Sequence, residues 1–171
     1  MTVRLGGPRR PPGSPRVDRR LLRSRAVRVL RALGLPRAEV SVSLVDDEAI
    51  AALNAGWRGK PRPTDVLSFS LLEGPHAEHR GDLLGEVVIG VDVAARQARR
   101  ARRSLDDEAA RLLIHGILHL VGHDHVRSAD AQRMRAEERR LWRAARGSAP
   151  LGGTRASPLG GTRVSVRGAR R

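Results

Sequence analysis

From Leu105 to Val121 the chain reads LDDEAARLLIHGILHLV, with acids confined to its first turn and apolar residues nearly all round after it. Ser104 and Asp107 make a capping-box pattern, and Asp106, Asp107 and Glu108 fall where a helix dipole favours negative charge. A helix with no polar face is stable only when other elements surround it, so this one is expected to run through the core.

The elements available to surround it are short. Leu22, Ala26, Val29, Leu30 and Leu33 share one helical stripe, with Gly34 and Pro36 as stop signals, which predicts a helix over 18–33. Val40, Val42 and Leu44 alternate with serines in the period of a strand. Asp46 or Asp47 then caps a helix whose Ile50, Leu53 and Trp57 share a face, broken by the Lys60–Pro63 stretch. Residues 65–71 and 83–91 read as further strands. Asp92 is placed to cap a short basic helix to about Arg103, and a last amphipathic helix is predicted near 129–145 with Met134, Leu141 and Trp142 inward. The expected fold is α/β (α+β): a single domain with one small mixed sheet of about four strands packed against several helices.

Four of the six histidines lie in His115-Gly-Ile-Leu-His119-Leu-Val-Gly-His123-Asp-His125. Residues i and i+4 of a helix point the same way, so His115 and His119 can offer two imidazoles to one metal ion. A glycine three residues on, Gly122, can end the helix in a left-handed conformation and bring His125 round as a third ligand. The H-x3-H-x5-H spacing is that of the metzincin proteases, and three histidines leave a position open for water, as a catalytic site requires. With no cysteine in the chain, thiolate sites and disulfides are excluded. Zinc suits imidazole ahead of nickel, cobalt or manganese, giving an expected one Zn²⁺ per chain at the C-terminal end of the buried helix. His123 is read as a wall or substrate contact, and Asp124 as support for a ligand. The protease motif has a glutamate base directly after its first histidine; here that position is Gly116, which moves no proton. Asp65 and Glu86 are the acids that could substitute, although each also reads as a strand-end charge or cap.

Charge is distributed unevenly. The chain of 171 residues carries a formal +15, and Lys60 is its only lysine. Residues 1–37, with eleven arginines and one aspartate, hold +10; residues 141–171, with seven arginines and no acid, hold +7; residues 38–140 hold −2. A polyanionic partner is the first reading, although a base composition favouring arginine codons would produce the same tails. The octapeptide PLGGTRAS at 150–157 returns as PLGGTRVS at 158–165, a Gly- and Ser-rich pattern with no apolar period. The expected organisation is a basic flexible segment at 1–15, the folded domain at 16–146 and a basic flexible tail at 147–171. No apolar run of about 18 residues and no secretory h-region is present, so a cytoplasmic protein without a membrane partner is expected.

Three blocks, HGILHLVGHDH, LNAGWRGKPRPTDVLSF at 53–69 and GDLLGEVVIGVDVAARQA at 81–98, closely resemble the YbeY family of bacterial endoribonucleases. The likeness covers about 38–142. It implies a zinc-dependent, single-strand-specific RNA hydrolase acting on ribosomal RNA, notably the 3′ end of small-subunit RNA, and in ribosome quality control. By the motif match His115, His119 and His125 correspond to the metal ligands, and Arg58 to an arginine acting in catalysis beside His115. Ribosomes, ribosomal proteins and a ribosome-associated GTPase are partners implied by the family alone. His123 stands where the family more often has tyrosine, and the usual proline after Phe69 is missing.

Phosphodiester cleavage also has a physical case in these residues. Zinc lowers the pKa of a bound water or polarises a phosphoryl oxygen, and either route builds negative charge that Arg58 can meet with paired donors. Lys60 and Arg62 are candidates for phosphate positioning, and the Arg96, Arg99, Arg100, Arg102 and Arg103 cluster for salt-sensitive affinity. With no tyrosine, and with Trp57, Phe69 and Trp142 all on predicted buried faces, base stacking is weakly supported. Two other readings are a zinc metallopeptidase or other metallohydrolase, and a non-catalytic ribosome-assembly factor with a structural metal.

Overall fold

A computed structural model describes residues 2–8, 12–72, 81–123 and 128–147. In chain order the elements are β1 (Thr2–Gly6), α1 (Arg19–Ala32), β2 (Glu39–Val45), α2 (Asp47–Arg58), β3 (Val66–Ser70), β4 (Leu83–Gly90), α3 (Val91–Arg100), α4 (Leu105–Leu120) and α5 (Ser128–Ala145). The sheet order is β1-β2-β4-β3, with β1 and β4 parallel to β2 and β3 antiparallel to β4. This is the mixed four-stranded α/β architecture expected from the pattern of strands and helices.

The nearly all-apolar stretch is α4, and it packs against α1, α3, α5, β3 and β4. Ser104 Oγ accepts from Asp107 N at 3.1 Å, so the predicted N-cap forms. One face of the sheet, with Val40, Val42, Leu44, Val87 and Ile89, joins Leu113, Ile117 and Leu118 of α4 in the main core. The other face, with Val45, Leu67 and Val88, packs under Ile50 and the half-buried Leu53 of α2. Burial of 23 Val, Leu, Ile and Met side chains among the described residues, each worth roughly 1.5–3 kcal/mol relative to exposure, dominates the favourable side of folding.

Three expectations need correction. The segment 1–15 was expected to be flexible, yet Thr2–Gly6 is a paired strand: Val3 is buried, Thr2 N donates to Ala38 O, and Arg19 donates to the carbonyls of Leu5 and Gly6. Val3 and Leu5 alternate with Thr2 and Arg4, but two apolar positions are too few to mark a strand, and its partner lies more than thirty residues away. Asp92 does not cap α3. The strand β4 runs directly into that helix through Gly90, which lies against Thr64 O so closely that a Cβ would come within 2.5 Å. Trp57 does not share the buried face of Ile50; it is 71% exposed in the last turn of α2, where its ring meets Phe69 of the edge strand β3 and little else among the described residues.

Candidate functional site

Where α4 ends, the chain reverses through a Schellman motif. Gly122 adopts φ +88°, its N–H bonds His119 O, and His123 N bonds Leu118 O at 3.0 Å. The turn predicted from Gly122 is therefore present, and it places His123 back over the last turn of the helix. His125, Asp124 and the octapeptide tail lie outside the described residues.

His115 and His119 converge as their spacing predicts, with their Nε2 atoms 3.2 Å apart. Two nitrogens bound to one tetrahedral zinc at about 2.0–2.1 Å would sit roughly 3.3 Å apart, so the pair fits two ligand positions. Without metal the same separation accommodates a hydrogen bond from His119 to His115. His115 Nδ1 is 2.8 Å from Glu138 Oε1 on α5. A proton held on Nδ1 by that carboxylate leaves the Nε2 lone pair aimed toward His119, the tautomer a metal ligand needs. Among the described residues no group of three or more His, Cys, Asp or Glu side chains gathers for a metal. Glu138 was not found from the sequence, because nothing in the α5 pattern marks which of its acids faces a histidine 23 positions back.

An open cleft of about 720 Å³ lies over the histidine pair, lined by Arg58, Asp65, Ser68, His115, His119 and His123 among others. Arg58 reaches it from the last turn of α2. Gly59 at φ +65° ends that helix, and its N–H bonds Ala55 O. A cation there is favoured by the helix dipole in any protein. What distinguishes Arg58 is its place on the cleft wall and the lack of any ion pair with a described residue. The loop beyond it is anchored by buried Asn54, whose Nδ2 donates to Arg62 O at 2.9 Å. Lys60 and Arg62 are exposed on this loop and do not line the cleft.

Asp65 and Glu86, the candidate substitute bases, lie apart. Asp65 lines the cleft, but Oδ1 accepts from Val66 N and Oδ2 from Gln97 Nε2, both at 2.9 Å, the arrangement of a strand-end cap. Glu86 lies on the opposite face of the sheet, where Ser43 Oγ donates to it at 2.6 Å. Of the arginine cluster at 96–103, Arg96 is engaged by Asp47 at 2.8 Å and Arg103 by Glu108 at 3.1 Å. The hydrogen bond to Asp47 raises the Arg96 pKa, outweighing the small desolvation that lowers it.

Fold and site together define an α/β protein with a histidine pair and an arginine converging on one open cleft. A family model described as endoribonuclease YbeY matches residues 17–146. An endoribonuclease YbeY from Anaeromyxobacter sp. (strain Fw109-5) is 53% identical over 84% of this chain and 72% of its own length. That of Geobacter sulfurreducens is 42% identical over 74% of this chain and 85% of its own. The solution structure of TM1509 from Thermotoga maritima superposes with a TM-score of 0.59 at 27% identity, covering 92% of this chain and 99% of the other. The chain belongs to the YbeY endoribonuclease family. No helix among the described residues is long and apolar enough to cross a membrane.

Proposed function

We propose that this protein is a zinc-dependent endoribonuclease that cleaves single-stranded RNA, with ribosomal RNA, notably the 3′ end of the small-subunit RNA, as its physiological substrate. The observation that carries the reading is the meeting of Arg58 with His115 and His119 in one open cleft, from elements 57 residues apart in sequence. Family membership supports the reaction class; ribosome quality control, ribosomal proteins and a ribosome-associated GTPase as partners, and a cytoplasmic location, belong to the proposal on family grounds alone.

His115 and His119, with His125 as the third ligand, would hold the zinc. Bound there, Zn²⁺ supplies Lewis acidity toward a phosphoryl oxygen or an attacking water. Glu138, bonded to His115 Nδ1, holds the imidazole in one orientation with Nε2 toward His119. Arg58 binds the phosphate with two parallel N–H donors and stabilises the charge that develops as the bond breaks, an interaction stronger in the transition state than in the ground state. His123, which lines the cleft, would contact the sugar or phosphate.

A peptidase reading needs a base beside His115. At Gly116 a Cβ would come within 2.6 Å of Val87 Cγ1, so the backbone there is pressed to the sheet and no acid fits. The test is cleavage of single-stranded RNA by the purified protein, before and after chelation and after zinc is returned. Cleavage should vanish on chelation and return with zinc, and Arg58→Glu or His119→Ala should lower it by at least about a hundredfold. Cleavage indifferent to chelation and to both substitutions would overturn the proposal.

A further inference from the structure

We infer that the exposed Trp57 ring, packed on Phe69 across the β3 edge from the Arg58 cleft, is a stacking platform for an unpaired base next to the phosphate being cleaved. The inference rests on the endoribonuclease reading and adds to it a residue that selects unpaired strands. Trp57 and Leu71 are the exposed large apolar side chains among the described residues, and Trp57 at 71% is the more open. An indole left in water contributes little to the fold, so its position calls for another explanation.

The ring is held rather than loose. Its centroid lies 5.0 Å from that of Phe69 with the planes tilted by 54°, a favourable aromatic geometry. Phe69 is half-buried beside Leu67 and Val88 and so fixes one side of the indole, leaving the other side open. The strand that carries Phe69, β3, is the edge of the sheet. Its Ser68 and Ser70 face the cleft, and Phe69 faces the opposite side. Trp57 precedes Arg58 directly, so ring and guanidinium reach the two sides of one strand edge. A polynucleotide crossing that edge can set a phosphate against Arg58 and lay the neighbouring base on Trp57.

Charge selects a nucleic acid over an apolar protein surface as the occupant. From Ala55 to Pro63 the chain reads AGWRGKPRP, with three cations and no acid, and Arg58, Lys60 and Arg62 are all exposed. Alternation of an aromatic platform with cations is how proteins bind single strands without reading sequence. A base paired in a duplex has no free face to offer, so the platform favours unpaired RNA.

The full chain is titrated with a 2′-O-methylated RNA octamer and with its fully abasic counterpart, following tryptophan emission. Cleavage of single-stranded RNA is measured on the same preparation. The octamer should quench the emission, and Trp57→Leu should abolish the quenching while Trp142 still fluoresces. Trp57→Leu should also weaken octamer binding about fivefold or more, the lower end of what one base–aromatic stack contributes. Trp57→Phe should restore most of the affinity, and abasic binding should not distinguish Trp57→Leu from the wild type. Quenching that survives Trp57→Leu, or abasic binding by the wild type as tight as that of the octamer, overturns the platform. So does a fall in sedimenting mass in Trp57→Leu with octamer affinity unchanged, which would assign the ring to a second copy of the chain. A wild type that neither binds nor cleaves RNA overturns the endoribonuclease reading itself, whereas normal cleavage with unchanged affinity in Trp57→Leu overturns the platform alone.

Discussion

Gly116 stands where a zinc peptidase would carry its base, and the reason lies in volume. Its α-carbon faces β3 and β4 so closely that a Cβ would meet Val87 Cγ1 at 2.6 Å and Ser68 Oγ at 3.0 Å. Val87 is fully buried and its β-branched side chain has little freedom to turn away. Alanine would raise helix propensity by about 1 kcal/mol, but overpacking a filled core costs about 1–3 kcal/mol. Gly116→Ala is therefore expected to destabilise the protein by up to about 2 kcal/mol net in denaturant titration, and a more stable Gly116→Ala would show that the contact relaxes freely. The close approach matters because His115 and His119 share this helix, so its seating against the sheet also seats the two histidines in the cleft wall. At the same scale, the histidine pair was legible from spacing alone. Glu138 was not, because its contact with His115 exists only once α5 lies across α4.

Among the elements, α5 holds that contact in place, and its attachment to α1 can be probed by pH. Arg140 bonds both Glu137 of its own helix and Ala32 O at the end of α1, and Arg28 of α1 donates to Ala145 O at 2.9 Å. The hydrogen bond from Arg140 lowers the Glu137 pKa from its ordinary value; burial acts the other way, and the charges of Arg140 and His123 add to the lowering. A carboxylate depressed in the folded state contributes stability that is complete above its unfolded pKa and is lost as pH falls through the folded value. Glu137→Gln should thus lower the melting temperature near neutrality, with the gap from the wild type closing as the pH falls below the ordinary glutamate range. A constant gap would mean the substitution acts through packing instead. Local periodicity made α1, α2, α4 and α5 legible to within a residue or two at most boundaries. What it could not supply was pairing: β1 alternates over only two apolar residues, Val3 and Leu5, too few to mark a strand, and the exposure of Trp57 at the end of α2 depends on what packs beside it.

At the scale of the whole molecule, several of the folded region's arginines are engaged in holding it together. Arg25 pairs with Asp107 at 2.7 Å, Arg96 with Asp47 and Arg103 with Glu108. Residues 38–140 sum to −2, so general attraction to a polyanion has to come from the ends, while the cleft supplies placed contacts. The C-terminal helix is closed before the tail begins: Gly147 N bonds Ala144 O, and Ala145 is buried under α1. Residues 148–171 carry five arginines and no acid. Deleting them should leave the melting temperature and the cleavage rate at saturating RNA unchanged. Affinity should fall, and the slope of log affinity against log salt should flatten by about 0.7 for each arginine that had been engaged with a single strand. A truncation that keeps the salt slope would place RNA affinity wholly in the cleft and the α1 face, with the tail's charge a property of composition. One that melts earlier would move the domain boundary past Gly147, since a segment that only binds RNA has no folded contacts to lose.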